Sequence, residues 1–253
     1  METFQQVSMI LPAFNEENYV ENVLTNVLDS LKDIGYKFEL IFVDDGSTDL
    51  TREKLLKFCI NPNIKVIGYP KNRGKGYAIK FGLSNASGDI IVFMDSDKDI
   101  KTKQLALYLE KVKSSDIVIA SKRHPQSKVK QPLIRKLLSI SFNKLVKLLT
   151  GIKVSDTQSG FKVMRAESMK KIMPLLSVKK YAFDVEMLTV ATLLKMRIEE
   201  LPIDIQMVEL FKFRDILRMF IDLLGITYRL RVKRWYQKNI NNFNAEYLPV
   251  IKW

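Results

Sequence analysis

The chain has 253 residues, 47% hydrophobic and 27% charged, which is enough for one large α/β domain with a full core and excludes an intrinsically disordered chain. One cysteine, Cys59, and one histidine, His124, exclude an intrachain disulfide, a cysteine metal cluster and a His-rich zinc site. The formal net charge of +13 is concentrated after residue 116, where residues 117–253 carry 26 basic and 11 acidic side chains, and a basic half of this kind predicts an anionic partner.

In chain order, short runs rich in Val, Ile and Phe alternate with amphipathic stretches. Val7–Pro12, Phe38–Val43, Lys65–Gly68, Ile90–Met94 and Ile117–Ala120 read as strands, and helical patterns lie near 17–32, 50–59, 76–86 and 102–113. This βαβα order predicts a mostly parallel sheet with helices on both faces. After residue 121 the pattern changes. Residues 132–149 read as a helix, with Ile134, Leu137, Leu138, Phe142, Leu145, Leu148 and Leu149 at helical spacing and Gly151 suited to the C-terminal cap. Further helices are predicted at 182–196 and about 213–236. In the last, Arg214, Arg218, Asp222, Arg229 and Lys233 fall near one stripe, with Ile216, Leu217, Phe220, Leu223 and Leu224 off it. No run approaches the roughly 18 apolar residues that span a bilayer, and the N-terminus lacks the basic lead of a secretory signal. The expectation is a cytoplasmic, peripheral protein.

In open α/β sheets ligands bind beyond the carboxyl ends of the strands. Three polar clusters sit there: Pro12-Ala13-Phe14-Asn15-Glu16, Asp44-Asp45-Gly46-Ser47 and Asp95-Ser96-Asp97. Asp95 and Asp97, at i and i+2 where a strand opens, can share one Mg²⁺ or Mn²⁺, a hard cation that bridges diphosphates. Asp44 and Asp45 can accept bonds from a base or a ribose. Gly46 permits a tight turn, and Ser47 or Thr48 can cap the helix that follows. Asn72-Arg73-Gly74-Lys75-Gly76 is a basic loop whose amides and Lys75 can approach a phosphate. Lys122, Arg123, Lys128, Lys130, Arg135, Lys136, Lys144 and Lys147 surround a strongly apolar helix inside a segment, 117–155, that has no acidic residue. That combination suits an anionic membrane surface and a lipid phosphate.

Together LPAFNEE (11–17), VDDGSTD (43–49), NRGKG (72–76), the D-x-D at 95–97 and DTQSGFK (156–162) resemble the inverting family-2 glycosyltransferases. Within them the chain resembles the polyprenyl-phosphate sugar synthases, both the dolichyl-phosphate mannose synthases and the dolichyl-phosphate glucosyltransferases, with DTQSGFK and Ala182-Phe183-Asp184-Val185-Glu186 nearer the second. The resemblance implies a GT-A (nucleotide-diphospho-sugar transferase) fold, a mostly parallel Rossmann-like sheet flanked by helices. It divides the chain into a catalytic domain at 1–211, with a nucleotide and metal half at 1–121 and an acceptor half at 122–211, and a basic amphipathic extension at 212–253.

The resemblance also implies roles. Pro12, Ala13, Asn15, Glu16 and Asp44 line the nucleoside pocket. Asp95 and Asp97 hold the nucleotide diphosphate through the metal, with Asp99 standing where the mannose synthases carry a Gln that joins the metal site. Lys122 or Arg123, with Arg135 and Ser139 nearby, grips the lipid phosphate. Arg135 and Ser139 are i and i+4 on one helical face. The implied reaction moves a hexose from UDP-glucose or GDP-mannose to dolichyl or polyprenyl phosphate with inversion. The acceptor is already an oxyanion at pH 7 and needs no strong general base. A hydroxyl acceptor would need one, and Asp184 and Glu186 are the candidates, against a structural role for both. A basic nucleic-acid-binding protein is the reading from another class, but no helix-turn-helix, zinc finger or aromatic RNA-binding signature accompanies the charge, so no nucleic-acid partner is expected.

Overall fold

The five apolar runs form strands because a strand buried on both faces reads as a continuous Val/Ile/Phe segment. The computed structural model, which describes residues 5–32, 35–95, 104–180, 182–206 and 213–245, contains β1 (Gln6–Ala13), β2 (Lys37–Asp44), β3 (Ile64–Gly68), β4 (Ile90–Met94) and β5 (Ile117–Ser121). Between them run α1 (Val20–Lys32), α2 (Thr51–Leu56), α3 (Lys75–Leu83) and α4 (Leu105–Val112). The second half adds β6 (Lys128–Lys130), α5 (Leu133–Thr150), β7 (Phe161–Arg165), α6 (Ala166–Ile172), α7 (Phe183–Leu193), β8 (Ile198–Pro202), β9 (Asp204–Gln206), α8 (Phe213–Thr227) and α9 (Trp235–Ala245).

Seven strands form one sheet in the order β3-β2-β1-β4-β7-β5-β8. Every neighbouring pair is parallel except those made by β7, which is antiparallel to both β4 and β5. The chain leaves β1 toward β2 and β3, then returns to place β4 on the other side of β1. The switch point therefore lies between the carboxyl ends of β1 and β4, the place where open α/β sheets form their ligand crevice. Alternate residues serve opposite faces. Ile10, Ile41, Val43, Ile91 and Phe93 pack under α3, α7 and α8, whereas Met9, Leu11, Leu40, Phe42 and Val92 pack under α1 and α4. Each such fully buried side chain contributes roughly 1.5–3 kcal/mol.

α5 ends as its sequence predicts: Gly151 is left-handed at φ 78° and its amide donates to the Lys147 carbonyl. Its apolar residues divide. Phe142, Leu145 and Leu149 pack on the core, but Leu133, Ile134, Leu137, Leu138 and Leu148 are exposed. The helix expected at 213–236 is two helices. α8 passes into a π turn, Tyr228–Val232, and the chain breaks at Arg234, which is left-handed at φ 49°. The core face of α8 is Met219, Leu223 and Ile226, continued by Leu230, while Leu217, Phe220, Ile221 and Leu224 stay exposed. α8 is thus apolar on two faces.

The break brings Arg229 and Tyr236 to one buried carboxylate, Glu186 of α7. Glu186 Oε1 accepts from the Tyr236 hydroxyl at 2.6 Å and from Arg229 Nη2 at 3.1 Å. Ser177 N, Ser177 Oγ and Val178 N donate to the same carboxylate at 2.8, 2.8 and 2.7 Å. Glu186 is fully buried and is a structural tether between the segment before α7 and the C-terminal helices. Tyr236→Phe should lower stability by about 1–3 kcal/mol, because a buried acceptor loses a donor. Thermal denaturation should show a fall of about 2–4 °C per kcal/mol, with no fall for Tyr228→Phe, whose ring is half exposed.

Candidate active site

The residues expected to bind the donor lie where β1, β2 and β4 end. In the β1–β2 register Ala13 lies opposite Asp44. Beyond β1 the chain turns through Asn15, left-handed at φ 56°. Asn15 N donates to Ser47 Oγ at 3.1 Å, Thr48 N donates to Asn15 Oδ1 at 2.8 Å, and Glu16 N donates to Thr51 Oγ1 at 2.7 Å. The loops holding Pro12, Ala13, Asn15, Glu16 and Asp44 are therefore stitched into one rim. Ser47 and Thr48 are spent on that stitching and do not cap α2, contrary to the expectation. The residue preceding α2 is Leu50, whose amide donates to Glu17 Oε2 at 3.0 Å.

Asp44 and Asp45 are both buried and separately engaged. Asp44 Oδ1 accepts from Ser47 N at 2.9 Å, and Arg52 Nη1 stands 3.4 Å from Oδ2. Asp45 accepts from the Tyr69 hydroxyl at 2.7 Å, Asn72 Nδ2 at 3.0 Å, Arg73 N at 2.7 Å and Gly74 N at 2.9 Å. The amides of Arg73 and Gly74, expected to face a phosphate, are bound to Asp45 instead. Asp45 positions the basic loop. Gly46 allows this: at φ 72° it has left-handed backbone, and a Cβ there would lie 2.6 Å from Asn72 N.

The loop delivers Lys75 to the end of β4. Its ammonium is 2.7 Å from Asp95 Oδ1 and 3.2 Å from Asp184 Oδ2, and Asp184 Oδ1 accepts from Lys162 Nζ at 2.7 Å. The result is a row of alternating charges, Asp95, Lys75, Asp184 and Lys162, running inward from the crevice. Burial disfavours the Lys75 charge, but the Asp184 and Asp95 carboxylates outweigh it and hold Lys75 above its ordinary pKa. Burial raises Asp184 less than Lys162 and Lys75 lower it, so it stays ionised below the usual carboxylate range. Asp95 itself is only partly buried, with a side-chain exposure of 31%. Its amide donates to the Gly160 carbonyl at 3.2 Å, and a Cβ on Gly160 would fall 2.0 Å from Asp95 Oδ2. Hard oxygen donors at a strand end fit a divalent cation. Asp97 and Asp99, the other expected ligands, lie outside the described residues.

A second charged cluster, where the sequence places the acceptor residues, is built on Asp156, a buried carboxylate. Lys122 Nζ is 3.0 Å from Asp156 Oδ2, Lys122 N donates to the same oxygen at 3.0 Å, and Arg123 Nη1 is 3.3 Å from Oδ1. Burial opposes the charge of Asp156, and Lys122 and Arg123 outweigh it, holding the carboxyl below its ordinary range. Arg123 Nη2 donates to the Ser139 carbonyl at 2.8 Å and to Ser139 Oγ at 3.1 Å, which joins the β5 end to α5. Arg135 lies one turn earlier on that helix, half-buried. Lys122, Arg123 and Ser139 thus come together as expected. Asp156, Gly160 and Lys162 had no role in the sequence reading. Their signal was the DTQSGFK run itself, which lies under both halves of the site.

Asp156→Asn leaves two cations without their counter-charge and should cost about 3 kcal/mol. A depressed carboxyl stabilises the fold above its unfolded pKa near 3.9, and that contribution is lost as pH falls through the folded value. The stability gap between wild type and Asp156→Asn should therefore be constant above about pH 5 and narrow below about pH 4, measured by denaturant unfolding across pH.

Residues 8–173 match the model of the glycosyl transferase family 2. A dolichyl-phosphate beta-glucosyltransferase of Trichomonas vaginalis is 32% identical over 243 residues, covering 90% of this chain and 75% of its own. The dolichyl-phosphate beta-glucosyltransferase of Homo sapiens is 31% identical, covering 95% and 80%. Among solved structures, glucosyl-3-phosphoglycerate synthase from Mycobacterium tuberculosis, in complex with Mn²⁺, uridine diphosphate and glucosyl-3-phosphoglycerate, superposes with a TM-score of 0.66 at 21% identity, covering 88% of this chain and 79% of its own. With the strand order, the three loops at the strand ends and this match over most of its length, the chain belongs to glycosyl transferase family 2.

Proposed function

We propose that the protein transfers glucose from UDP-glucose to dolichyl or a related polyprenyl phosphate with inversion at the anomeric carbon. The observation that supports this reading is that one segment, 156–162, touches both charged clusters. Its Gly160 abuts Asp95 on the donor side, and its Asp156 holds Lys122 and Arg123 on the acceptor side. The names of the relatives give the same sugar, glucose, and the same acceptor, dolichyl phosphate.

A divalent cation, Mg²⁺ or Mn²⁺, would be held by Asp95 with Asp97 and Asp99, and when bound it supplies positive charge to the departing diphosphate. The chain's own residues do the rest. Pro12, Ala13, Asn15, Glu16 and Asp44 form the rim for the nucleoside. Lys75 offers an ammonium to the diphosphate. Lys122, Arg123 and Arg135 orient the acceptor phosphate, whose oxygen displaces the nucleoside diphosphate in line. No base has to remove a proton, because the nucleophile is already an oxyanion.

A hydroxyl acceptor fits less well. Of the two candidate bases, Asp184 is engaged by Lys75 and Lys162, and Glu186 accepts from five donors. Arg135→Ala should slow transfer of labelled glucose from UDP-glucose to dolichyl phosphate by about ten- to a hundred-fold, as charge-assisted bonds of roughly 1.5–3 kcal/mol are lost. UDP affinity should not change. Unaltered transfer would favour a hydroxyl acceptor.

The reading also places the protein peripherally on the cytoplasmic face of a membrane. No helix among the described residues is long and apolar enough to cross one. The exposed apolar residues of α5 and α8, with Lys136, Lys144, Lys147, Arg214 and Arg218 beside them, form a surface suited to anionic lipid. The protein should sediment with anionic liposomes at low salt. Leu137→Glu combined with Phe220→Glu should abolish this while leaving the fold unchanged, since both side chains are exposed.

A further inference from the structure

Asp95 carries a resident cation. The Lys75 ammonium lies 2.7 Å from Asp95 Oδ1, and the close approach of Gly160 to Oδ2 confines the carboxylate on its other side. A divalent cation arriving at Asp95 alone would meet this ammonium at a distance of a few ångströms, in surroundings that screen charge poorly. Lys75 cannot relieve the clash by moving wholly onto Asp184. That carboxylate already has Lys162 on Oδ1 at 2.7 Å, and it holds Lys75 at 3.2 Å without neutralising a second full charge. Withdrawal of the basic loop as a unit is opposed by the four donors it and Tyr69 commit to Asp45.

We propose that Lys75 is the resident counter-ion of Asp95 and yields this carboxylate to the divalent cation only when a nucleoside diphosphate is present to receive the ammonium. The diphosphate provides oxygens for both cations, so the ammonium exchanges one anionic partner for another and stays paired throughout. Metal and nucleotide then load together. By reciprocity each tightens the other's binding by the same factor. Lys75 is here a positioning residue for the metal as well as a contact of the donor. The inference rests on the reading of Asp95 as a metal ligand under the proposed function.

The test is a Mn²⁺ titration of the full chain followed by electron paramagnetic resonance, with and without UDP and corrected for Mn²⁺ that UDP binds in solution. The variant is Lys75→Met, which keeps the apolar stem and removes the charge while Lys162 stays paired with Asp184. Lys75→Gln serves if the first does not fold, and Lys75→Arg is the charge-retaining control. Lys75→Met should bind Mn²⁺ alone about ten-fold tighter than wild type, and the enhancement of Mn²⁺ binding by UDP should shrink by at least that factor. Lys75→Arg, which keeps the charge, should leave Mn²⁺ binding without UDP as weak as in wild type. Mn²⁺ affinity of the neutral variant equal to or below that of wild type, with the UDP enhancement intact, would overturn the exchange and leave the metal reading standing. Failure of wild type to bind Mn²⁺ even with UDP would overturn the metal reading and the exchange with it.

Discussion

Asp184 is gripped between two lysines, and the geometry of the crevice depends on that arrangement. Lys162 of β7 is buried as deeply as the aliphatic core. A buried ammonium without a partner costs several kcal/mol, so Asp184 of α7 is obligatory wherever Lys162 is. The pair specifies the register of the one strand that runs against the rest of the sheet. Lys162 lies opposite Phe93 on β4 and Ile119 on β5. A slip by one residue would send its side chain to the other face, away from α7, and leave both charges unpaired. With β7 held in place, Gly160 comes under Asp95 and Asp156 under Lys122 and Arg123.

This explains which parts of the molecule were legible in the sequence. The five strands β1 to β5 are apolar runs with polar residues at their carboxyl ends, so both the elements and the crevice could be read from local pattern. β7 and β8 were not read as strands. A lysine interrupts the first and two glutamates the second, and these charges are acceptable only through distant partners. Asp184 lies 22 residues from Lys162, and Glu200, which Ser155 contacts through its amide and hydroxyl, lies 45 residues away. The same limit misassigned the turn residues. Ser47 after β2 looks like a helix cap, and Arg73 and Gly74 look like phosphate-facing amides. Asn15 and Asp45 take them first, from positions the local sequence does not reveal.

The C-terminal helices show a related constraint. A helix that is apolar on one face needs one partner surface, whereas α8 is apolar on two. Its inner face is satisfied by Met219, Leu223 and Ile226 in the core, and the direction of its outer face is then fixed by the fold. Arg229 and Tyr236 hold that direction at Glu186, which also accepts from Ser177 and Val178. The chain continues at once into Lys179, whose carbonyl accepts from Tyr77 N at 3.1 Å in the helix that begins with Lys75. The outward apolar surface and the donor loop therefore hang from one buried carboxylate.

The balance of charge separates the two halves of the site in a way that bears on the acceptor. On the donor side Asp95 and Asp184 are matched one for one by Lys75 and Lys162. A row that is neutral by itself can take up a cation and a diphosphate together with little change in net charge. On the acceptor side Asp156 faces two cations, Lys122 and Arg123, and so leaves a surplus of one positive charge. A neutral hydroxyl would gain little from that surplus, and its proton would have to go to a carboxylate that is already committed. A phosphate monoester brings the missing negative charge with it. In surroundings that screen poorly, the attraction of that surplus for an oxyanion outweighs any preference it has for a neutral group. The imbalance at Asp156 therefore favours the proposed phosphate acceptor over a neutral hydroxyl.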